Sequence, residues 1–425
     1  MIESIGEEAF NFQDERFADI QMLRYRLPDF ESLTIRQKQL IYCLSEATLF
    51  GRDITFDQFG KYNLRIRKTL EAVYLNFNGD RLEHNFRALE EYMKHVWFAS
   101  GIYHHYACDK FSPLFTEDFF RNEVLAIDSK LLPLNDGESV TSLLNELCPV
   151  IFDPTILPKR VDKSDGKDIV RSSACNYYDG VSQYEVEEFY AKLKKDGPTN
   201  EAPSYGLNST LVKEGDSIRE DVWKIGGKYS AAIEKIVYWL NRAKDFVEND
   251  QQLHVINLLI RYYETGDLHD FDIYSIEWLR EQEGRIDFIN GFIEVYGDPM
   301  GLKGSWEGIV EYKDLEATHR TQAISANAQW FEDHSPVDPQ FRKAIVKGVT
   351  ANVICAAMLG GDEYPASAIG INLPNADWIR TEHGSKSVTI SNLTHAYDMA
   401  AKGNGFREEF VIDADTCKLL DLYAD

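Results

Sequence analysis

The chain has 425 residues and a formal net charge of −25, with hydrophobic residues at 44% and aromatic residues at 12%. The apolar content is sufficient for packed domains and excludes wholesale disorder, and the length predicts two lobes rather than one core. An acidic surface repels phosphate backbones and anionic lipid, so neither nucleic acid nor a membrane is expected as a partner.

The first half of the chain divides into a helical part and a part rich in loops. The first 125 residues are predicted to be mostly helical, with an amphipathic helix over 84–97. Residues 130–215 are predicted to form short strands and loops, with one helix near 183–195. The second prediction depends on six prolines: Pro133, Pro149, Pro154, Pro158, Pro198 and Pro203.

Helical periodicity returns in the second half. It predicts helices over about 228–247, 252–265, 314–330 and 339–358. A short strand is predicted over 308–312. A last amphipathic helix is predicted to begin at Thr416, and no Gly or Pro stop signal follows it.

Cysteine usage and the N-terminus bear on location. The six cysteines are scattered and none forms a Cys-x-x-Cys pair, which is typical of free thiols in a reducing compartment. The sequence has no apolar stretch of about 18 residues and no basic, apolar start. We therefore expect a cytoplasmic protein, or a periplasmic one if a signal peptide precedes Met1.

A search for catalytic motifs gives mainly negative results. None of the ten histidines is followed by Glu, so the sequence has no His-Glu-x-x-His zinc motif. Two weaker metal candidates are the cluster at 104–109, which holds two His, a Cys and an Asp, and the pair Glu316 and His319. Ordinary polar residues are the favoured interpretation of both. Nucleotide-binding glycine loops and a serine nucleophile elbow are also absent from the sequence.

Two segments have unusual local chemistry. In residues 285–301, Asp287, Asn290 and Glu294 interrupt an apolar run, and buried carboxylates need partners.

The second segment, residues 360–375, is too rich in Gly and Pro for a helix. In it Asn372 and Asn375 bracket Pro374, which fixes the local backbone and is able to hold both amides in one direction. A simple turn is the alternative.

These segments carry a resemblance to a known family. Phe292-Ile-Glu-Val-Tyr-Gly-Asp-Pro-Met-Gly301 and Gly370-Ile-Asn-Leu-Pro-Asn375 resemble two blocks of peptidase family M49, the dipeptidyl peptidase III family. Asp109-Lys-Phe111 with Pro113 resembles an N-terminal block of that family. The order and spacing of the blocks are similar to the family's bacterial branch over nearly the whole chain.

The resemblance implies an α+β, mainly helical fold with two lobes. A lower, substrate-binding lobe with a small β-barrel core is expected from residues 1–307 and about 355–398. A helical, zinc-carrying upper lobe is expected to include about 308–354 and 399–425. The family's zinc motif lies beyond the position where this chain ends. The chain is therefore expected to be an N-terminal fragment that holds neither zinc nor catalytic residues.

The family removes dipeptides from the N-termini of short peptides, which implies a site for an α-ammonium group. By resemblance Asn372 and Asn375 are the amide acceptors of that ammonium, and Asp287 is its carboxylate partner. Backbone groups near Ile369 and Gly370 are expected to bind the peptide by strand addition.

This chain departs from the family pattern at two of the positions. Many members carry Glu at the position of Asp287, and a Tyr two positions later, where this chain has Ile289. The acidic composition agrees with a cationic ligand, although acidity that only maintains solubility is the alternative.

The resulting hypothesis is a zinc-dependent dipeptidyl peptidase acting on short peptides, of which this chain alone is inactive. The alternatives are a non-catalytic peptide-binding protein that retains only the lower lobe, and a helical interaction protein. The oligomeric state is not predicted.

Overall fold

The computed structural model describes residues 10–196, 204–346 and 349–401, together with residues 413, 415, 416 and 418. Most of the helix predicted from Thr416 onward lies outside the described residues. The described helices are α1 (Ile35–Leu49), α2 (Arg52–Gln58), α3 (Asn63–Asn76), α4 (His84–Phe98), α5 (Glu117–Ala126), α6 (Val140–Phe152), α7 (Ile169–Ser172), α8 (Gln183–Asp196), α9 (Ser230–Ala243), α10 (Asp250–Thr265), α11 (Leu268–Arg280), α12 (Leu315–Ala326), α13 (Ala328–Asp333), α14 (Asp377–Glu382) and α15 (Ser391–Ala401).

The strands form three sheets. They are β1 (Gln13–Phe17), β2 (Ile20–Leu23), β3 (Tyr178–Asp179), β4 (Ser209–Glu214), β5 (Ser217–Val222), β6 (Ile286–Glu294), β7 (Ser305–Lys313), β8 (Val349–Gly361), β9 (Gly370–Leu373) and β10 (Ser385–Ile390). The largest sheet has the order β6-β7-β8-β10-β9, and only its β8–β10 pair is parallel. The α+β, mainly helical prediction is confirmed.

The β-barrel implied by the resemblance is not observed among the described strands. The five-stranded sheet is open, with β6 at one edge and β9 at the other. At Ile286 the free edge of β6 is already covered by side chains from α10 and the residues before it. Gln252 Nε2 donates to the Ile286 carbonyl at 2.8 Å, and the Ile286 N–H donates to Glu248 at 2.8 Å. These bonds occupy the N–H and C=O groups of Ile286, which a further strand would have to pair with to close a barrel.

Most helix predictions are confirmed. In these helices the amphipathic periodicity and the capping residues indicate the same boundaries. The helix predicted over 84–97 is α4, and the one near 183–195 is α8. The start of α10 follows from Asn249, whose side chain accepts the Gln252 N–H at 2.7 Å. The strand predicted over 308–312 is the centre of β7.

Two local predictions were wrong. Residues 339–358 were predicted as a helix, yet Pro339–Phe341 is a short 3-10 turn and the strand β8 follows at Val349. The spacing of the Val and Ile residues fits both a helix and a strand. The segment forms a strand because β8 is paired on both sides, with β7 and β10. Helix α6 was missed because Pro149 lies inside it, near its C-terminal end.

Buried apolar side chains form three clusters. The largest lies between the five-stranded sheet and α1, α9, α10 and α11. A second is formed by α3 to α6, and a smaller one by α7, α8 and the sheet β3-β4-β5. The sheet that carries both unusual sequence segments is therefore packed into the largest core, which gives it a rigid support.

The predicted division into two lobes stays a prediction. Both predicted boundaries, at 307 and near 355, fall inside strands of one sheet, β7 and β8. Helices α12 and α13 lie between these two strands in the sequence.

The beginning and the end of the described chain are in contact. Asn392 Nδ2, on α15, donates to the carbonyl of Arg26 at 3.0 Å. Gln13, on β1, donates to the carbonyl of Ala400 at 3.2 Å. Among the described helices, none combines the length and apolar character needed to cross a bilayer.

Candidate functional site

A cavity of about 710 Å³ lies beside strand β9. Its other walls are formed by the segment that follows β6, by the loop between β8 and β9, and by residues 98–108 at and after the end of α4. Strand β8 ends before that loop at Gly361, which has a φ of 67°. A Cβ at Gly361 would lie 2.2 Å from the Trp306 carbonyl, so only glycine allows the chain to leave β8 in this direction.

Strand β9 presents a free backbone edge. The Ile390 N–H donates to the Ile369 carbonyl at 2.9 Å, which places the backbone groups of Ile369 on the side of β10. Bonding alternates along an antiparallel pair, so the N–H and C=O groups of Gly370 and Asn372 point to the free edge. Of the two predicted backbone residues, Gly370 is thus free to pair, whereas the Ile369 carbonyl is already engaged.

Both predicted amide residues line this cavity. Asn372 and Asn375 are exposed, and they lie on either side of Pro374, whose peptide bond with Leu373 is cis. The Ser387 hydroxyl donates to Asn372 Oδ1 at 3.3 Å. The Asn375 amide is hydrogen-bonded to the carboxylate of Glu294.

Three carboxylates line the same cavity, and we call Glu294, Asp362 and Glu363 the cavity carboxylates. Asp362 accepts from the Ser305 hydroxyl at 2.6 Å, and Glu363 accepts from the Ala368 N–H at 3.2 Å. Burial raises the pKa of all three, to about 7 for Glu363.

A fourth carboxylate lies next to them in the sheet. The side chain of Glu307, on β7, is fully buried, and neither of its oxygens has a hydrogen-bond partner in the part of the chain that the structure describes. Burial, and then the charges of Glu363, Glu294 and Asp362, raise its pKa well above the usual value. The raised pKa favours the protonated form of Glu307, and this part of the sheet concentrates acidic groups.

Asp287, the predicted carboxylate partner of the ammonium, is placed differently. It is buried, and its Oδ2 accepts from Lys386 Nζ at 2.8 Å. Its Oδ1 accepts from the Trp278 indole at 2.9 Å and from the Phe288 N–H at 2.8 Å. Asp287 is not among the residues that line the cavity beside β9.

Ile289 contributes to a second cavity, of about 440 Å³. Its wall is largely aromatic and aliphatic and includes Tyr274, Trp278 and Pro374. Asn375 lines both cavities, so its side chain lies where the two spaces meet.

The structure brings together part of the predicted site. Asn372, Asn375 and Gly370 share one cavity, and Asp287 is enclosed by a lysine and a tryptophan. Their predicted roles in binding stay predictions. Sequence reasoning did not select Asp362, Glu363, Glu307 or Lys386.

The signal for all four residues was present in the sequence, since Glu363 lies beside Asp362. Glu307 and Lys386 are charged residues within strands, the same pattern that selected Asp287. Asp362 belongs to the unusual segment of residues 360–375.

The described residues do not fit a metal centre. Within residues 10–196, 204–346 and 349–401, no group of three or more His, Cys, Asp or Glu side chains is arranged to hold a metal ion. Of the two weak candidates, His104 accepts backbone N–H bonds from Tyr106 and Ala107, and His319 contacts Gln322.

Sequence comparison finds a family and several relatives. The sequence model of peptidase family M49 matches residues 201–419. The chain is 22% identical to a dipeptidyl peptidase 3 of Nematostella vectensis over 355 residues, which cover 77% of this chain and 48% of that protein. It is 28% identical to dipeptidyl peptidase 3 of Homo sapiens over 184 residues, 43% of this chain and 25% of the human protein. The chain thus spans half or less of these relatives.

Solved structures have a similar fold. The DPP III of Caldithrix abyssi superposes with a TM-score of 0.62 at 16% identity, covering 87% of this chain and 58% of that one. A dipeptidyl-peptidase III of Corallococcus gives the same TM-score and covers 88% of this chain.

Proposed function

The chain belongs to peptidase family M49, and from that premise we propose that it supplies the peptide-binding part of a zinc-dependent dipeptidyl peptidase. The proposed substrates are short peptides with a free N-terminus, from which the complete enzyme releases dipeptides. The relatives named dipeptidyl peptidase 3 support this specificity.

One observation carries the proposal. The free edge of β9 runs along the cavity, and Asn372 and Asn375 line the same cavity. An extended peptide pairing with Gly370 and Asn372 gains main-chain hydrogen bonds without a change in the sheet. The two amide oxygens are then available as acceptors for an ammonium group.

Zinc has no proposed ligands in this chain. The sequence has no His-Glu pair, and the described residues do not form a metal-binding group. Bound in the complete enzyme, zinc supplies an activated water for amide hydrolysis. The residues of this chain are proposed to bind and orient the peptide, and the chain alone is proposed to be inactive.

The alternative, a peptide-binding protein without catalysis, uses the same cavity and edge strand. The two candidates differ in whether the complete protein cleaves a bound peptide. Turnover of a dipeptidyl arylamide by the complete protein separates the two, because a pure binding protein leaves the arylamide intact.

Peptide affinity of the purified chain tests the proposed site. Asn375→Ala and Asn372→Ala each remove one acceptor from the ammonium. A hydrogen bond to a charged group contributes about 1.5–3 kcal/mol, so each change is expected to weaken tetra-alanine binding about ten- to a hundredfold. Calorimetric titration measures the dissociation constants.

Asn78→Ala is the matched control, because Asn78 is exposed and does not line this cavity. It is expected to leave the affinity unchanged. Equal affinity in the wild type and in both site variants contradicts the assigned role of the amides.

A further inference from the structure

We propose that Glu294, rather than Asp287, is the carboxylate that receives the α-ammonium group of the bound peptide. This inference rests on the proposed function, since it assigns the charge partner within that peptide site. It makes Glu294 a specificity-determining residue for a free N-terminus.

The first argument is that both oxygens of Asp287 already accept hydrogen bonds within the protein. Lys386 is fully buried and neutralises the Asp287 charge at 2.8 Å. The Lys386 ammonium also lies 4.1 Å from the centre of the Trp278 ring, so it is held from two sides. A second ammonium at Asp287 needs the displacement of this buried pair, which is strongly unfavourable.

The second argument is the position of Glu294. It is only partly buried, lines the cavity and is hydrogen-bonded to the Asn375 amide. An Asn that donates to a carboxylate retains its own carbonyl oxygen as an acceptor. The pair therefore offers an ammonium two acceptors side by side, one of them charged.

A peptide that pairs antiparallel with β9 would present its N-terminus to this pair. Asn375 follows the carboxyl end of β9, two residues after Leu373. A peptide added antiparallel to β9 begins at that end of the strand. Its first residue then lies beside Asn375 and Glu294 and next to Asn372, while its later residues continue toward Gly370.

The buried Glu307 adds to the acidic character of the sheet beside the cavity. Its side chain is 0% exposed, and both of its oxygens lack hydrogen-bond partners among the described residues. Its strongest electrostatic neighbours are the cavity carboxylates. A buried polar group without a partner is unfavourable, and an ammonium arriving at Glu294 reduces the repulsion within this group.

Two arginines also line the cavity, and they do not neutralise Glu294. Arg160 donates to the His105 carbonyl at 3.0 Å and its guanidinium lies 4.3 Å from the centre of the Phe59 ring. The charge of Arg160 acts on Asp362. Arg380, on α14, is not among the groups that shift the pKa of Glu294, and it forms no ion pair with Glu294 among the described residues.

The raised pKa of Glu294 adds a second observable. An ammonium binds the ionised carboxylate, so affinity for a free N-terminus is expected to fall as the pH drops through that pKa. Affinity for an acetylated peptide is expected to change less, because no charge pair forms.

The test compares tetra-alanine with N-acetyl-tetra-alanine by calorimetry on the purified chain and its variants. The wild type is expected to prefer the free amine about tenfold or more, and Glu294→Gln is expected to lose that preference while retaining acetyl-peptide affinity. Glu294→Asp is expected to be intermediate. Glu31→Gln is the control, because Glu31 has a 92% exposed side chain and does not line the cavity.

The outcomes are distinguishable. If Glu294→Gln retains the free-amine preference and Asp287→Asn loses it, this inference is overturned and the proposed function stands. If the wild type binds both peptides equally or binds neither, the proposed function fails and the inference fails with it. Unchanged acetyl-peptide affinity in Glu294→Gln shows that the variant is folded.

Discussion

Two groups of carboxylates on the same five-stranded sheet have opposite surroundings. Asp287 and Glu311 lie next to the buried ammonium of Lys386, and Lys313 is also near Glu311. Glu294, Asp362, Glu363 and Glu307 lie close to one another at the cavity beside β9. The first group has two lysine charges beside it, whereas among the described residues the second has only Arg160, which acts on Asp362.

The difference separates a structural role from a ligand-binding role. An internally paired charge stabilises the fold only while both partners are present, and it has little affinity left for a ligand. Acidic groups without an internal cation raise one another's pKa values and favour any cation that reaches them. Burial alone does not distinguish the two groups, because Asp287 and Glu307 are both buried.

The largest effect is expected from breaking the internal pair. Lys386→Met leaves the Asp287 carboxylate buried without its cation, and is expected to lower the free energy of unfolding by about 3–5 kcal/mol. Urea denaturation measures this change. Lys38→Met is the control, because Lys38 pairs with the exposed Glu31. This change is expected to lower the free energy of unfolding by less than about 1 kcal/mol. Equal losses in the two variants mean that the pair is not a structural element.

A second, smaller effect concerns pH. Burial, and then the charge of Asp287, raise the pKa of Glu311 to about 8, against about 4.3 in an unfolded chain. The folded state therefore holds an extra proton. This contribution to stability is complete below about pH 4.3 and is lost as the pH rises to about 8.

The Glu311→Gln variant cannot titrate at this position. Between pH 5 and pH 8 the wild type is expected to lose stability relative to Glu311→Gln, by about 1 kcal/mol or more. Denaturation curves at the two pH values measure the difference. Parallel pH profiles of the two proteins refute the raised pKa.

The smallest effect is expected at the cavity group. Burial and the neighbouring carboxylates raise the pKa of Glu307 and so favour its neutral form, and Glu307→Gln preserves both the shape and a neutral side chain. The free energy of unfolding at pH 6 is expected to change by less than about 1 kcal/mol. If the free energy of unfolding falls by several kcal/mol instead, Glu307 is ionised and, like Asp287, is stabilised by a partner within the protein.

The sequence predicted most of the helices because the information is local. In α4, apolar periodicity and the Glu83 side chain at the N-cap agree on the same boundary. Strand β8 was missed because its identity depends on pairing with β7 and β10, which are distant in sequence. The barrel was an inference from resemblance, and local contacts of Ile286 decide against closure of β6.

Within the site, the sequence predicted which residues are unusual better than what they contact. Asp287 and Glu294 were both selected as charges in an apolar strand. That Asp287 meets Lys386, 99 residues later, and that Glu294 meets Asn375 is set by the fold of the sheet. Composition and spacing contain no signal for such pairs.

The contact between the two ends of the described chain has a consequence for synthesis on the ribosome. Arg26 receives its hydrogen bond from Asn392, 366 residues later. The N-terminal strands therefore emerge from the exit tunnel long before their packing partner on α15 exists. Native packing of this region has to wait until α15 has emerged. For most of synthesis the N-terminal strands therefore stay accessible to chaperones and proteases.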